Sequence, residues 1–123
     1  MTILFDHNVD RRFRKHLAGH EVRTTRELRW DKLENGELIK AAADARFEAF
    51  ISIDKNIEFE QNLRALPLPV IVLDSKSNAL PRLAPFAPLV LKLIASPLEP
   101  VLYVIQPSGT VLQLKDPRPK SAR

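Results

Sequence analysis

Three apolar runs in this chain stop on an aspartate. Thr2-Ile3-Leu4-Phe5 ends at Asp6, Phe50-Ile51-Ser52-Ile53 at Asp54, and Val70-Ile71-Val72-Leu73 at Asp74. A carboxylate delivered at the tip of a buried strand can do chemistry if its neighbours bring further oxygen donors. Carboxylates held close together repel and raise one another's pKa, a cost that a cation removes. Hard divalent ions such as Mg²⁺ or Mn²⁺ take oxygen ligands of this kind. Each aspartate also has a structural role open to it. Asp6 can start a turn with Asn8, Asp54 can cap a following helix, and Asp74-Ser75 can form another turn. Their joint arrival at strand ends points to an acidic cluster.

Glu37 is placed to join it, in the first turn of an expected helix, where the helix dipole favours a carboxylate even without a metal. Glu34 falls in the loop before that helix and reads as solvated. His7 beside Asp6 reads as a turn residue open to a ligand role, and His16 and His20 flank the end of a first helix, where a histidine meets the dipole. No His-Glu-x-x-His spacing exists, which argues against a zinc hydrolase. With no Cys, disulfides and thiolate metal sites are excluded, and three glycines build no phosphate-cradling loop.

The elements that must hold these residues follow from periodicity. Thr2–Phe5, Glu21–Thr25, Ala49–Ile53 and Val70–Leu73 read as strands. Val9, Phe13 and Leu17 recur at helical spacing, predicting an amphipathic helix over Asp10–Ala18 whose other face carries Arg11, Arg12, Arg14 and Lys15. Asn35 reads as the cap of a helix from Gly36 to Ala45 that buries Leu38, Ile39 and Ala42. Further helices are expected through Ile57, Glu60 and Leu63, and from Pro85 to Ala95. Two apolar runs around Pro107-Ser108-Gly109-Thr110 predict a hairpin over Val101–Leu114. Alternating βα units of this length form a parallel sheet covered on both faces, with ligands outside the carboxyl ends of the strands.

The 123 residues suit a single domain, 1–114, followed by a basic tail, 115–123, expected to be disordered. Nineteen Lys and Arg against fifteen Asp and Glu give a formal +4, which suits an anionic partner. No signal peptide or transmembrane helix is expected, so the chain reads as cytoplasmic.

"ILFDHNV", "HEVRTTRELRW", "NGELIKAAADARFEAFISIDKNIEFEQNL" and "PVIVLDSKSN" together resemble the small PIN-like proteins of bacterial toxin–antitoxin operons, over about Ile3 to Ile94. The resemblance implies a PIN-like three-layer α/β/α sandwich, with a four-stranded, mainly parallel sheet and the C-terminal hairpin added. It also implies a Mg²⁺- or Mn²⁺-dependent endoribonuclease, RNA as substrate, a small antitoxin protein as partner, and homodimers. Residue by residue it assigns Asp6, Glu37 and Asp54 as catalytic metal ligands. Two positions depart from the pattern. Asn35 stands where relatives usually have Asp, and His7 where an acidic residue is frequent. Both changes remove negative charge, and they favour an alternative, a catalytically inactive PIN-like binding module.

Arg11, Arg12, Lys55 and Lys76 are candidates for phosphate contacts, which set affinity more than sequence choice. Trp30 could stack on a base, whereas Phe59 is expected in the core. A phosphoacceptor receiver domain also has this length and an Asp after its third strand. It needs an acidic pair after the first strand and a late-strand lysine, and here Asp6 precedes His7.

Overall fold

The computed structural model describes residues 1–119. Its centre is one six-stranded sheet in the order β2-β1-β3-β4-β5-β6, from β1 (Thr2–Phe5), β2 (Glu21–Thr24), β3 (Ala49–Ser52), β4 (Val70–Leu73), β5 (Leu102–Ile105) and β6 (Val111–Leu114). The first five strands run parallel and β6 pairs antiparallel with β5. The expected four strands plus an added hairpin are therefore corrected to one mixed sheet. The reason lies in β5, which is buried at every position and pairs with β4 from Val70↔Leu102 to Leu73↔Ile105. An unbroken apolar run belongs inside a parallel sheet, whereas the alternating exposure of β6 marks an edge strand.

Helical segments cover both faces, giving three layers. On one face, Phe5, Ile51, Leu73 and Ile105 meet Phe13, Leu17, Leu83, Phe86, Val90 and Ile94. On the other, Leu4, Phe50, Val72 and Val104 meet Leu38, Ile39, Ala42, Ile57 and Leu63. The helices are α1 (Asn35–Asp44), α2 (Ile57–Glu60), α3 (Leu80–Leu83) and α4 (Ala87–Ile94).

Several segments are shorter or tighter than their periodicity predicts. The expected helix over Asp10–Ala18 is a 3₁₀ segment, Arg11–His16, with Val9, Phe13 and Leu17 still facing the core. The helix expected to reach Leu63 ends at Glu60, and Asn62 caps a new 3₁₀ turn by accepting from the Arg64 N–H at 3.2 Å. Before α4 the chain needs extra turns, because Pro81, Pro85 and Pro88 each sit in the first turn of a separate helical piece.

α1 closes with Arg46 at φ 65°. The Arg46 N–H donates to Ala43 O at 3.0 Å and the Phe47 N–H to Ala42 O at 2.9 Å. This is a Schellman closure with arginine where glycine is usual.

Part of the expected tail, 115–119, is among the described residues. Arg64 holds Asp116 through two bonds of 2.7 and 2.8 Å, and Arg118 grips Glu58 at 2.7–3.2 Å. Residues 115–119 thus fold back over α2. The remainder of the expected disordered tail, 120–123, lies outside the described residues. No helix among those described is long and apolar enough to cross a membrane.

Candidate functional site

Strand order reverses at β1, with β2 on one side and β3 on the other. Asp6 and Asp54 follow these two central strands, at the switch point where doubly wound sheets bind ligands. The β1–β3 ladder continues past the strand end, the Asp6 N–H donating to Ile51 O at 2.9 Å. That bond sets Asp6 beside Ser52.

Ser52 joins the two acids. Its hydroxyl donates to Asp6 Oδ2 at 2.7 Å and accepts from the Asp54 N–H at 2.9 Å. The other Asp6 oxygen accepts from the His7 N–H at 2.7 Å. Asn8 closes the turn, its Oδ1 accepting from the Ile53 N–H at 3.2 Å. Asp6 is only 3% exposed. Burial pushes its carboxyl above the usual range; the Ser52 and His7 hydrogen bonds and the neighbouring His7 side chain oppose the rise, and the charge of Asp54 adds to it.

Asp54 uses both oxygens. Oδ1 accepts from the Asn56 N–H at 2.9 Å in the turn before α2, whose cap is Asn56 and not Asp54. Oδ2 accepts from the Asn35 side-chain amide at 2.7 Å. Asn35 is thus the first residue of α1 and not its cap, which is Glu34. Glu37 turns back to accept from the Glu34 N–H at 3.1 Å, as in a capping box. Among the described residues, no group of three or more His, Cys, Asp or Glu side chains is arranged to hold a metal ion. Ser52 links the Asp6 carboxylate to the Asp54 backbone, close enough for the Asp54 charge to act on Asp6, and Glu37 is committed to its own helix start.

Asp74 lies farther along the edge, paired with Lys55 at 3.1 Å. Arg12 is folded onto Asp10, with its closest bond at 2.7 Å, while Arg11 lines a cleft of about 570 Å³ with Asp6 and His7. The His7 ring is anchored at both nitrogens. Nε2 lies 3.0 Å from Leu33 O, which can only accept, so in the neutral ring Nδ1 accepts from the Thr25 hydroxyl at 2.6 Å. Trp30 packs edge-on against Phe47, with ring centroids 6.3 Å apart. Phe59, expected in the core, is 40% exposed.

Sequence reasoning missed Ser52 as the joint of the site. The signal was present: it is the one polar residue in the run Phe50–Ile53. No late-strand lysine serves a receiver-type site either, since β5 runs into Gln106 and Pro107. Comparison with protein-family models, with curated proteins and with solved structures gave no match to this chain.

Proposed function

We propose that this chain is a PIN-like, Mg²⁺- or Mn²⁺-dependent endoribonuclease working at the Asp6–Asp54 pair. In the setting its sequence resemblance implies, it is a toxin with a small antitoxin partner. The observation that carries the reading is the placement of Asp6 and Asp54 at the switch point, with Ser52 tying the Asp6 carboxylate to the Asp54 backbone. The donors are all oxygen, and one of them, Asp6, is buried at 3% exposure. They fit an ion that keeps several waters and shares a substrate phosphate, as Mg²⁺ commonly does with one or two carboxylates. When bound, such an ion supplies an activated water and stabilises charge on the phosphate.

The side chains divide the remaining work. Ser52 fixes the rotamer of Asp6, and the turn into α2 fixes Asp54. Asn35 donates to Asp54 where a third acid would otherwise face it. Glu37 enters the site only by giving up the Glu34 N–H.

That last pair of contacts favours a second reading, an inactive PIN-like binding module, because Asn35 takes the place of an acid at Asp54 and Glu37 is spent on its own helix start. Cleavage of a mixed single-stranded RNA pool by purified protein, with Mg²⁺ or Mn²⁺ and beside an EDTA control, separates the two. Asp54→Asn is expected to cut at least ~100-fold more slowly, since losing the metal forfeits several kcal/mol of charge stabilisation. If wild type cleaves nothing that Asp54→Asn spares, the binding module takes its place.

A further inference from the structure

Of the clefts beside the acidic pair, two differ in the sign of their charge. The one containing Asp6 and Arg11 is lined by more carboxylates than cations, with Asp10, Glu27 and Asp31 against Arg11 and Arg26. The other, of about 450 Å³, begins at Lys55, the residue after Asp54, and sets Lys55, Lys76 and Arg82 against the single carboxylate of Asp74. Lys55 is already paired with Asp74, whereas Lys76 and Arg82 form no ion pair among the described residues. The wall behind these cations is apolar: Pro81, Pro85, Phe86, Leu89 and Pro107. Its volume is that of a small-ligand pocket, a concave apolar surface with a few charged groups at its rim.

From this juxtaposition we propose that the second cleft seats one unstacked nucleotide of a single-stranded RNA. The base lies on the Leu89–proline wall, backed by the buried ring of Phe86, and the adjoining phosphate lies on Lys76 and Arg82. An inorganic anion would use the cations and leave the apolar wall wet. A duplex keeps its bases stacked and cannot insert one. Single-stranded nucleic acid offers both a flat apolar face and a phosphate at one-residue spacing, the combination used by stacking platforms set in a basic groove. The cleft adjoins Asp54 through Lys55, so a strand seated there runs past the acidic pair. Only the choice of RNA as the polymer rests on the ribonuclease reading.

The test is equilibrium binding of a labelled single-stranded RNA octamer to the full chain in EDTA, by fluorescence anisotropy, so that cleavage plays no part. Wild type is expected to bind. Lys76→Ala/Arg82→Ala, two exposed positions, is expected to bind at least ~10-fold more weakly, with a salt slope shallower by about 1.4 for two lost phosphate contacts on a single strand. Unlabelled duplex of the same sequence and inorganic polyphosphate are expected to compete at least ~10-fold less well than the single strand, the worth of one stacked base. No wild-type binding, an unchanged double variant, or equal competition by duplex or polyphosphate would each overturn the proposal. Binding without cleavage defeats the ribonuclease reading and keeps the cleft. Cleavage with unaltered binding in the double variant does the reverse.

Discussion

At Asp6, burial raises the carboxyl above its ordinary 3.8, so the folded chain holds that proton more tightly than the unfolded chain does. Stability therefore falls as pH climbs from 3.8 through the raised folded value, and above it the cost is constant. Asp6→Asn removes the charge at nearly constant volume. It should raise the thermal midpoint at pH 7 by the few degrees that about 1 kcal/mol is worth in a chain of this size, and flatten the pH dependence. An unchanged pH profile in thermal melts would show that Asp6 is not the source. Asn35→Asp should do the opposite in EDTA. It replaces a 2.7 Å amide donor to Asp54 with a second carboxylate, costing about 1–3 kcal/mol. With Mn²⁺ the same variant should recover, and its metal-induced rise in midpoint should exceed that of wild type. Equal rises would show that the ion binds away from residue 35.

Elements here are held by local devices that a burial pattern does not reveal. The Schellman closure of α1 places Arg46 at φ 65°, a conformation in which glycine has no Cβ penalty. Arg46→Gly should stabilise the fold by about 0.5–1 kcal/mol in urea titrations, and destabilisation would mean that the Arg46 side chain does more than close a helix. The Glu58–Arg118 contact makes a similar argument for the C-terminal strap. The Arg118 side chain holds the Glu58 carboxyl below its ordinary 4.5 despite the opposing effect of burial. This stabilisation is present above pH 4.5 and is lost as pH falls through the depressed folded value. Arg118→Ala should cost about 1–2 kcal/mol at pH 7, the lower part of the range for charged hydrogen bonds because the guanidinium is half-exposed. The difference from wild type should shrink in acid. Truncation after Leu114 should likewise lower the midpoint, whereas a disordered tail would leave it unchanged.

For the molecule as a whole, the parallel core was legible because its strands are unbroken apolar runs: Thr2–Phe5 and Val70–Leu73 stand where periodicity puts them. Val101–Ile105 carried the same signal, and β5 is at once the first arm of the expected hairpin with β6 and the fifth parallel strand of the sheet. Full burial decided for the sheet. The two strand-end acids were also legible, since a strand tip is a position in sequence. What Glu37 does was not, because a first-turn glutamate can face a neighbouring strand or bend back to its own helix, and one rotamer separates the two. Ser52 was hidden by its size, a small polar residue inside an apolar run.

The contact between Asn35 and Asp54 also has a lifetime. Asn35 is followed by Gly36, whose backbone nitrogen has no side chain to shield it and lies in the first turn of α1, where N–H groups have no intrahelical partner. Attack of that nitrogen on the Asn35 side-chain carbonyl expels ammonia, and water then opens the ring to an acid. Protein left to age should therefore gain a carboxylate against Asp54 without any mutation, visible as a deamidated Asn35-Gly36 peptide in mass spectrometry. Old and fresh preparations would then differ in their response to Mn²⁺, a difference that an Asn35→Gln control should not show.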